Sequence, residues 1–418
     1  MSLHAIAASL RVARADVTVG WWAVTRQWRR SGFCLCAIGV GVAALMLAGG
    51  FIDWNFLHYR EAMIHTQLGH IRVHRAGYTA HGAAAPFDYV LPANAPELRA
   101  LRNLPTVRTV APRLAVNGLA SHGDATVPFV GEGIDPIAEG PLTASLTMVA
   151  GAPLESATGD GVIVGQGLAR NLGVRVGDNV VLVVNTAKGG INGTEARVRG
   201  VFTTVSKAYD DTALRLSIGT AQKLERVDGA HTWVLLLHDT AQTSDTLATV
   251  ERVLGTTAFE AVPWSKLSDF YNKSAALFSR QVGVMRTIIG LLIVLSIGNA
   301  LTMGVMERTT EIGTAMALGS TRKHVLRRFL VEGVLLGVLG AGIGIAVGAA
   351  LARIVSVIGI SVPPPPGMAH GYIAQILVTP SATLAAALLA IATTIIAALY
   401  PAWKASRMVI VDALRRNR

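Results

Sequence analysis

Four long apolar segments constrain the fold of this 418-residue chain more than any other feature of its sequence. They lie at about 32–52, 284–306, 329–360 and 380–400. A helix needs roughly 20 mostly apolar residues to cross the hydrocarbon core, where every backbone N–H and C=O must be hydrogen-bonded within the segment. Each segment has that length, and 51% of the chain is apolar against 15% charged. The sequence therefore predicts a membrane protein with four spans.

The residues between the first two spans have a different pattern. Short β-branched runs such as NVVLVV (179–184) and TWVLLL (232–237) are typical of strands, and SDTLATVERVLG (244–255) is typical of a helix. This segment contains no cysteine, so it must be held together by an apolar core. We predict four transmembrane α-helices, with a large α+β extracytoplasmic domain inserted between the first and the second.

Clusters of basic residues set the orientation. Residues 1–30 hold five basic and one acidic side chain, residues 307–328 five and two, and residues 404–418 five and one. These excesses of +4, +3 and +4 account for the whole formal charge of +11. Because cytoplasmic loops carry the excess of Lys and Arg, both termini and the 307–328 segment are predicted to be cytoplasmic. Because basic residues cluster only beside the apolar segments, and the inserted segment is nearly neutral, nucleic-acid binding is not expected.

These two patterns predict the organisation of the chain. The regions are a cytoplasmic amphipathic N-terminal helix (1–30), TM1 (31–53), the extracytoplasmic, periplasmic domain (54–280), TM2 (284–306), a cytoplasmic coupling helix (307–328), TM3 (329–360), an extracytoplasmic loop (361–378), TM4 (379–401) and a cytoplasmic tail (402–418). TM3 is long for one crossing, so we expect tilt, a break near its glycines or an extension out of the bilayer. A cleaved signal at WRRSGF is disfavoured, because the run that follows is of spanning length.

No group of residues indicates catalysis or metal binding. Cys34 and Cys36 are two positions apart on a helix and do not share a face, so a disulfide or a metal pair is not expected. His70 and His74 would lie on one face of a strand, but Arg72 stands between them and no third ligand follows. The dipeptide Gly-Lys of a phosphate-binding loop does not occur. We therefore predict no enzyme activity, cofactor or metal in this chain.

Glycines recur at helical spacing within TM3. They are Gly333, Gly337, Gly340, Gly344 and Gly348, which form G-x-x-x-G motifs. Glycine lets helix backbones approach closely, which is how spans associate in lipid. The alternative is the general enrichment of glycine in membrane helices. The sequence leaves open whether the partner of this face is a span of the same chain or a second copy.

Glu332 is the carboxylate that lies within the third apolar segment. Such a group is usually functional or paired. Arg328 stands four residues earlier, so we predict an i,i+4 ion pair between Arg328 and Glu332 near the cytoplasmic interface.

Residues 306–320, MERTTEIGTAMALGS, form a polar segment between two spans. A helix here places Ile312, Ala315 and Met316 on one face, and Gly319 ends it. A short helix with a small apolar face is suited to docking in a groove of another protein. The alternative is an interfacial helix that rests on lipid.

The run MERTTEIGTAMALGSTRKHVLRRFLVEG closely resembles the signature R-x-x-E-I-G-x-x-x-A-L-G of FtsX-like permeases, the membrane subunits of MacB and LolC/LolE-type ABC transporters. YPAWKASRMVIVDALR (400–415) is similar to the C-terminal motif of that family, although Ile410 replaces a frequent proline. GVIVGQGLARNLGVRVGDNVVLV resembles its external domain. In layout the chain is most similar to the lipoprotein-releasing permeases.

The resemblance implies a cytoplasmic ABC ATPase dimer that binds ATP and Mg²⁺, together with a second permease copy in a homodimer or a LolC/LolE-like heterodimer. It also implies membrane lipid and a periplasmic carrier or adaptor as partners. The implied ATPase-coupling residues are Glu307, Arg308, Glu311, Ile312, Ala315, Met316, Ala317, Leu318 and Gly319. The implied mechanism is mechanical transmission from the ATPase to the external domain. We expect extraction of a lipoprotein or another amphiphile from the inner membrane; MacB-like efflux and FtsX-like regulation of an external enzyme are the alternatives.

Overall fold

The computed structural model describes residues 18, 21–22, 25–82, 84–143, 146–255, 258–364, 368–369 and 371–409. Most of the predicted N-terminal helix, and residues 410–418 with Ile410, lie outside the described residues. The chain forms two compact units. One comprises Met1–Asn55, Ala275–Ile360 and Ile373–Arg418, and the other comprises Phe56–Ser274 and Ser361–Tyr372.

The helices are α1 (Trp28–Met63), α2 (Tyr78–His81), α3 (Pro96–Arg102), α4 (Pro136–Thr143), α5 (Gln166–Leu172), α6 (Lys207–Asp210), α7 (Ile218–Glu225), α8 (Thr243–Leu254), α9 (Trp264–Leu267), α10 (Asp269–Glu307), α11 (Thr309–Ala317), α12 (Arg322–Ile358) and α13 (Pro380–Ser406). A π-helical turn (Ile64–Leu68) follows α1, and short 3₁₀ helices lie at Pro86–Tyr89 and Thr240–Gln242.

The strands are β1 (Ile71–Arg75), β2 (Val107–His122), β3 (Ala125–Ile134), β4 (Thr147–Gly151), β5 (Gly161–Gly165), β6 (Asn179–Asn185), β7 (Ile191–Thr203), β8 (Ala213–Ser217), β9 (Thr232–Leu237), β10 (Phe259–Pro263), β11 (Ile360–Val362) and β12 (Tyr372–Ala374).

Four of these helices, α1, α10, α12 and α13, are long and apolar enough to cross a membrane, as the sequence predicts. Helix α12 has 37 residues without a break, which is roughly 55 Å at 1.5 Å per residue and exceeds a hydrocarbon core of about 30 Å. Its glycines therefore do not interrupt it. The sequence left three alternatives for TM3: tilt, a break near its glycines, or an extension out of the bilayer. The break is wrong, and the helix is longer than one perpendicular crossing requires.

Three glycines of α12 face α1. A Cβ atom on Gly344 would lie 2.7 Å from the carbonyl oxygen of Gly39 and 2.7 Å from Cβ of Val42, and a Cβ on Gly340 would meet Ile38. Gly348 likewise lies against α1. Because real Cβ atoms do not approach so closely, these positions need glycine for the two helices to pack. The partner of this G-x-x-x-G face is thus a span of the same chain.

The other two glycines of α12 face α13. A Cβ atom on Gly333 would lie 2.8 Å from Cβ of Ala398, and a Cβ on Gly337 would overlap the hydroxyl of Thr394. Around these contacts, apolar side chains from all four spans form one buried cluster, which includes Ile38, Ile297, Leu336 and Ala390. The small residues of α12 therefore hold it against α1 on one side and α13 on the other.

The second unit contains a ten-stranded mixed sheet with the strand order β10-β1-β9-β2-β3-β8-β5-β7-β4, and β6 pairs with β2 and β7. The β3–β8 and β5–β7 pairs are parallel, and the other described pairs of this sheet are antiparallel. Strand β2 is long enough to pair with β3, β6 and β9 at different points along its length. This sheet makes the inserted domain α+β, as predicted.

Burial along the strands follows their side-chain alternation. In β6, Val180, Leu182 and Val184 point into one apolar core, whereas β9 is buried along its whole length. Both NVVLVV and TWVLLL are continuous apolar runs in the sequence, so the alternating burial of β6 comes from its place in the sheet and is not visible in its sequence pattern. Both runs form the predicted strands, and α8 (Thr243–Leu254) covers all but the last residue of the predicted helical stretch 244–255.

Candidate functional site

The polar segment 306–320 forms the end of α10 and the short helix α11. Arg308 leaves helical geometry, with φ −98° and ψ 13°, which separates the two helices. Gly319 adopts φ 101°, and the Ser320 N–H then donates to the Ala315 carbonyl at 3.0 Å. This left-handed turn ends α11 as the sequence predicts. The Thr321 hydroxyl caps the start of α12.

The predicted apolar face of α11 is turned towards its own chain. Ile312 is only 9% exposed and belongs to a buried cluster with Val325 and Phe329 of α12, against which Met316 also packs. Ala315 is half-buried. Ile312 is therefore covered by its own chain, Ala315 and Met316 stay partly exposed, and docking of this face on another protein stays a prediction. Helical periodicity identifies an apolar face, but it does not tell whether the same chain covers that face.

The opposite side of the segment is open. Leu318 is 85% exposed, and Glu307, Glu311, Ala317 and Gly319 are exposed as well. A contact of this segment with another protein would thus involve Leu318 and its exposed neighbours rather than Ile312. We call this set, Glu307, Glu311, Ala317, Leu318 and Gly319, the exposed coupling side.

An ion-pair network joins α1 to this segment. Glu332, which is 2% exposed, lies 3.2 Å from Arg30 and 3.8 Å from Arg308, and Arg30 also lies 3.9 Å from Glu307. Among the described residues, Arg328 is not an ion-pair partner of Glu332. The predicted local pair is therefore corrected to a long-range one. Glu332 points into the bundle, where Arg30 and Arg308 reach it, whereas Arg328 is exposed.

Gly304 makes room for this network. A Cβ atom on Gly304 would overlap the guanidinium of Arg30, so the missing side chain leaves the space through which Arg30 reaches Glu332. Sequence reasoning did not identify Arg30 or Gly304 as members of the site. The available signal was a basic pair, WRR, directly before the first span, because an intramembrane carboxylate needs a cationic partner.

The two histidines weighed as metal ligands are buried and bonded within the sheet domain. His70 Nδ1 accepts from the Leu237 N–H at 3.0 Å, and its Nε2 lies 2.9 Å from the Thr240 hydroxyl. His74 Nδ1 lies 3.1 Å from the His231 carbonyl oxygen. Burial lowers the pKa of both imidazoles to about 4, so they are neutral at pH 7. Among the described residues, no group of three or more His, Cys, Asp or Glu could hold a metal ion.

A buried charge cluster in the same domain was not predicted. Arg113 is bonded to Glu139 and lies 3.2 Å from Glu132, and Arg215 lies 3.5 Å from Glu132. Although burial alone would raise it, these arginines hold the pKa of the Glu132 carboxyl below its usual range. Tyr209 also contacts Glu132 at 3.2 Å. The ion pairs within the cluster offset part of the cost of burying these charges.

Comparison with known proteins identifies the family of this chain. Residues 31–253 match the MacB-like periplasmic core domain, and residues 283–410 match the C-terminal domain of FtsX-like permeases. Among solved structures, the chain is similar to the periplasmic region of MacB from Actinobacillus actinomycetemcomitans. The match covers 51% of this chain and 98% of the MacB chain, at 11% identity and a TM-score of 0.35.

Two curated relatives match parts of the chain. The lipoprotein-releasing system transmembrane protein LolC of Xylella fastidiosa is 28% identical over 275 residues, which are 61% of this chain and 64% of LolC. The macrolide export ATP-binding/permease protein MacB of Syntrophobacter fumaroxidans is 38% identical over 117 residues, 28% of this chain and 14% of MacB. The chain thus spans less than two thirds of each relative. Because the core-domain match alone takes in more than half of its 418 residues, the chain belongs to the family of FtsX-like permeases with a MacB-like periplasmic core domain.

Proposed function

We propose that this chain is the permease subunit of an ABC transporter of the inner membrane, with both termini in the cytoplasm. A separate cytoplasmic ATPase dimer binds ATP and Mg²⁺, and a second permease copy completes the complex. ATP hydrolysis moves the spans, and the periplasmic core domain moves in response. Family membership and the basic residues in the 1–30, 307–328 and 404–418 segments support this arrangement.

The two-sided environment of α11 is the observation that carries this proposal. Its inner side, through Ile312, packs on α12 and α13, and its outer side leaves Leu318 exposed. A partner that holds Leu318 differently in two nucleotide states would therefore shift a helix that is already packed against two spans. Such differential contact is what coupling between two sites requires.

The cargo that we propose is a lipoprotein or another amphiphile taken from the membrane. The LolC relative, whose name describes a lipoprotein-releasing system, matches over 275 residues. The second candidate is export of periplasmic compounds, which the name of the MacB relative and its 38% identity favour. Spheroplasts that express the complex separate the two, because only the first function releases a labelled lipoprotein into the medium when a soluble carrier is added.

Co-purification tests the coupling. The wild-type chain and its Leu318→Asp variant are each expressed with the proposed ABC ATPase partner, and the amounts of ATPase that co-purify are compared. The matched control is Ile137→Asp, a change of an exposed apolar side chain in the core domain. We expect Leu318→Asp to remove the ATPase while the permease stays monodisperse, and Ile137→Asp to retain it. Equal retention by both variants would contradict the proposed contact.

A further inference from the structure

A cavity of about 340 Å³ lies at the same end of the membrane unit as the ion-pair network. It is lined by Trp22, Arg26, Gln27, Glu307, Arg308, Glu311 and Arg328. Its volume corresponds to roughly ten water molecules at about 30 Å³ each, which is enough for a compact polar group with some of its hydration. Six of its seven lining residues carry a charge or an amide, and the seventh is Trp22, so a ligand with a polar group suits it.

The charges around the cavity are unequal. Four guanidinium groups, Arg26, Arg30, Arg308 and Arg328, face three carboxylates, Glu307, Glu311 and Glu332. Three of the arginines have ion pairs: Arg26 with Glu311 at 4.0 Å, Arg30 with Glu307 and Glu332, and Arg308 with Glu332.

Arg328 is the guanidinium left over. Among the residues that the structure describes, it forms no ion pair, and it is exposed at the cavity. Counted over the described part of the chain, four cations against three anions leave one positive charge at this site. One singly charged anion would balance it, and a phosphate oxygen pair matches the planar fork of a guanidinium.

Three apolar segments end at this cavity. Arg26 precedes the apolar run of α1, Glu307 and Arg308 follow that of α10, and Arg328 precedes that of α12. The cavity therefore lies where the hydrocarbon core gives way to headgroups. Trp22, which is 74% exposed, lines it, and indole rings favour that depth. A phosphate group is abundant at this level of a bilayer.

We propose that this cavity binds the phosphate of one anionic phospholipid. Arg328 is the principal ligand of the phosphate, and Trp22 packs against the part of the lipid nearest its headgroup. The site adjoins the exposed coupling side, because Glu307 and Glu311 belong to both. The bound lipid therefore holds the end of α10, the start of α12 and α11 together at the inner leaflet. Only this last placement depends on the proposed function, since it assumes that this end is cytoplasmic.

Native mass spectrometry of the purified full chain in detergent tests the proposal. The retained lipid is counted during titration with phosphatidylglycerol, phosphatidylethanolamine or inorganic phosphate. We expect one tightly retained phosphatidylglycerol per chain. Arg328→Gln weakens its retention about fivefold, which corresponds to the roughly 1 kcal/mol that a basic residue contributes at an anionic surface. Arg322→Gln removes the same charge from the same segment, outside the cavity, and leaves retention unchanged.

Arg328→Lys checks for loss of folding, since it keeps the charge and restores part of the retention. Equal losses in the Arg328→Gln and Arg322→Gln variants would overturn the proposal, because they would indicate general attraction to charge. Equal retention of phosphatidylethanolamine, or displacement of lipid by inorganic phosphate, would also overturn it. None of these measurements needs the ATPase, so failure of the lipid site is distinguishable from failure of the coupling contact.

Discussion

The Arg30 guanidinium lies 3.2 Å from the Glu332 carboxylate and joins α1 to α12 across 302 positions of sequence. Arg308 lies 3.8 Å from the other carboxylate oxygen. A buried carboxylate without partners would be costly, so these two arginines explain how Glu332 is tolerated inside the bundle. One side chain thus connects the first span, the turn before α11 and the third span.

Glu332→Gln tests how much the ion pairs of Glu332 contribute to the stability of the permease. The amide keeps the shape of the side chain but leaves two guanidinium groups near an uncharged partner, so we expect a loss of about 2–4 kcal/mol in stability. The measurement is unfolding of the purified permease in detergent. Glu311→Gln is the matched control, because its pair with Arg26 is 4.0 Å long and exposed, and a change within about 0.5 kcal/mol is expected. Similar losses in both variants would contradict the assignment.

Gly304→Ala tests how Arg30 reaches Glu332. The new methyl would occupy the place of the Arg30 guanidinium, so we expect destabilisation by about 1–3 kcal/mol. Gly298→Ala, on the same helix, brings a Cβ to an ordinary 3.7 Å from the Ala397 carbonyl and serves as control. In a double-mutant cycle with Glu332→Gln, the two losses should not add, because both disrupt one network. Additive losses would show that Gly304 serves another purpose.

Gly344→Ala tests the packing of α12 on α1. Because its Cβ would lie 2.7 Å from the Gly39 carbonyl oxygen, the helices must separate, and we expect a loss of about 1–3 kcal/mol. Gly342→Ala is the control: nothing lies within 4 Å of its Cβ, and the better helix propensity of alanine should leave stability equal or higher by up to about 1 kcal/mol. Thermal unfolding of both variants measures these changes. A lower stability of Gly342→Ala than of Gly344→Ala would contradict this packing of α12 on α1.

Local sequence patterns predicted the helices and strands better than they predicted which residues contact each other across the fold. Apolar runs and period-2 alternation are properties of adjacent residues, so the spans and strands such as β6 and β9 were predictable. Strand β8, ALRLS, was not predicted because it is short and carries Arg215, a charge whose ion pair with Glu132 is visible only in the fold. The i,i+4 rule favoured Arg328 for Glu332, whereas the partner Arg30 comes from a helix 302 positions away. The covering of Ile312 likewise depends on tertiary packing.

The burial of Glu225 leads us to expect that the stability of the core domain depends on pH. It is 3% exposed, its Oε2 has no hydrogen-bond partner among the described residues, and burial raises its pKa from 4.5 to about 8. Between these values the folded state keeps a proton that the unfolded state releases, so stability falls as pH rises from 4.5 to 8.

Glu225→Gln should remove that loss. We expect little change in stability near pH 4.5 and a gain on the order of 4 kcal/mol at pH 8, measured by unfolding of the full chain at several pH values. Glu251→Gln, an exposed position on α8, is the control and should give a curve parallel to the wild type. A Glu225→Gln curve that is also parallel would rule out this ionisation as the cause.

The central claim is that the exposed coupling side, and not the buried face of α11, contacts the ATPase. Site-specific cross-linking in a Cys34→Ala/Cys36→Ala background measures this most directly, because the chain has no other cysteine. Single cysteines replace Leu318 or Ile312, and the permease is incubated with its ATPase and a short thiol cross-linker. We expect a cross-linked permease–ATPase product from Leu318→Cys and none from Ile312→Cys. A product from Ile312→Cys alone, or from neither variant while the complex remains intact, would contradict it.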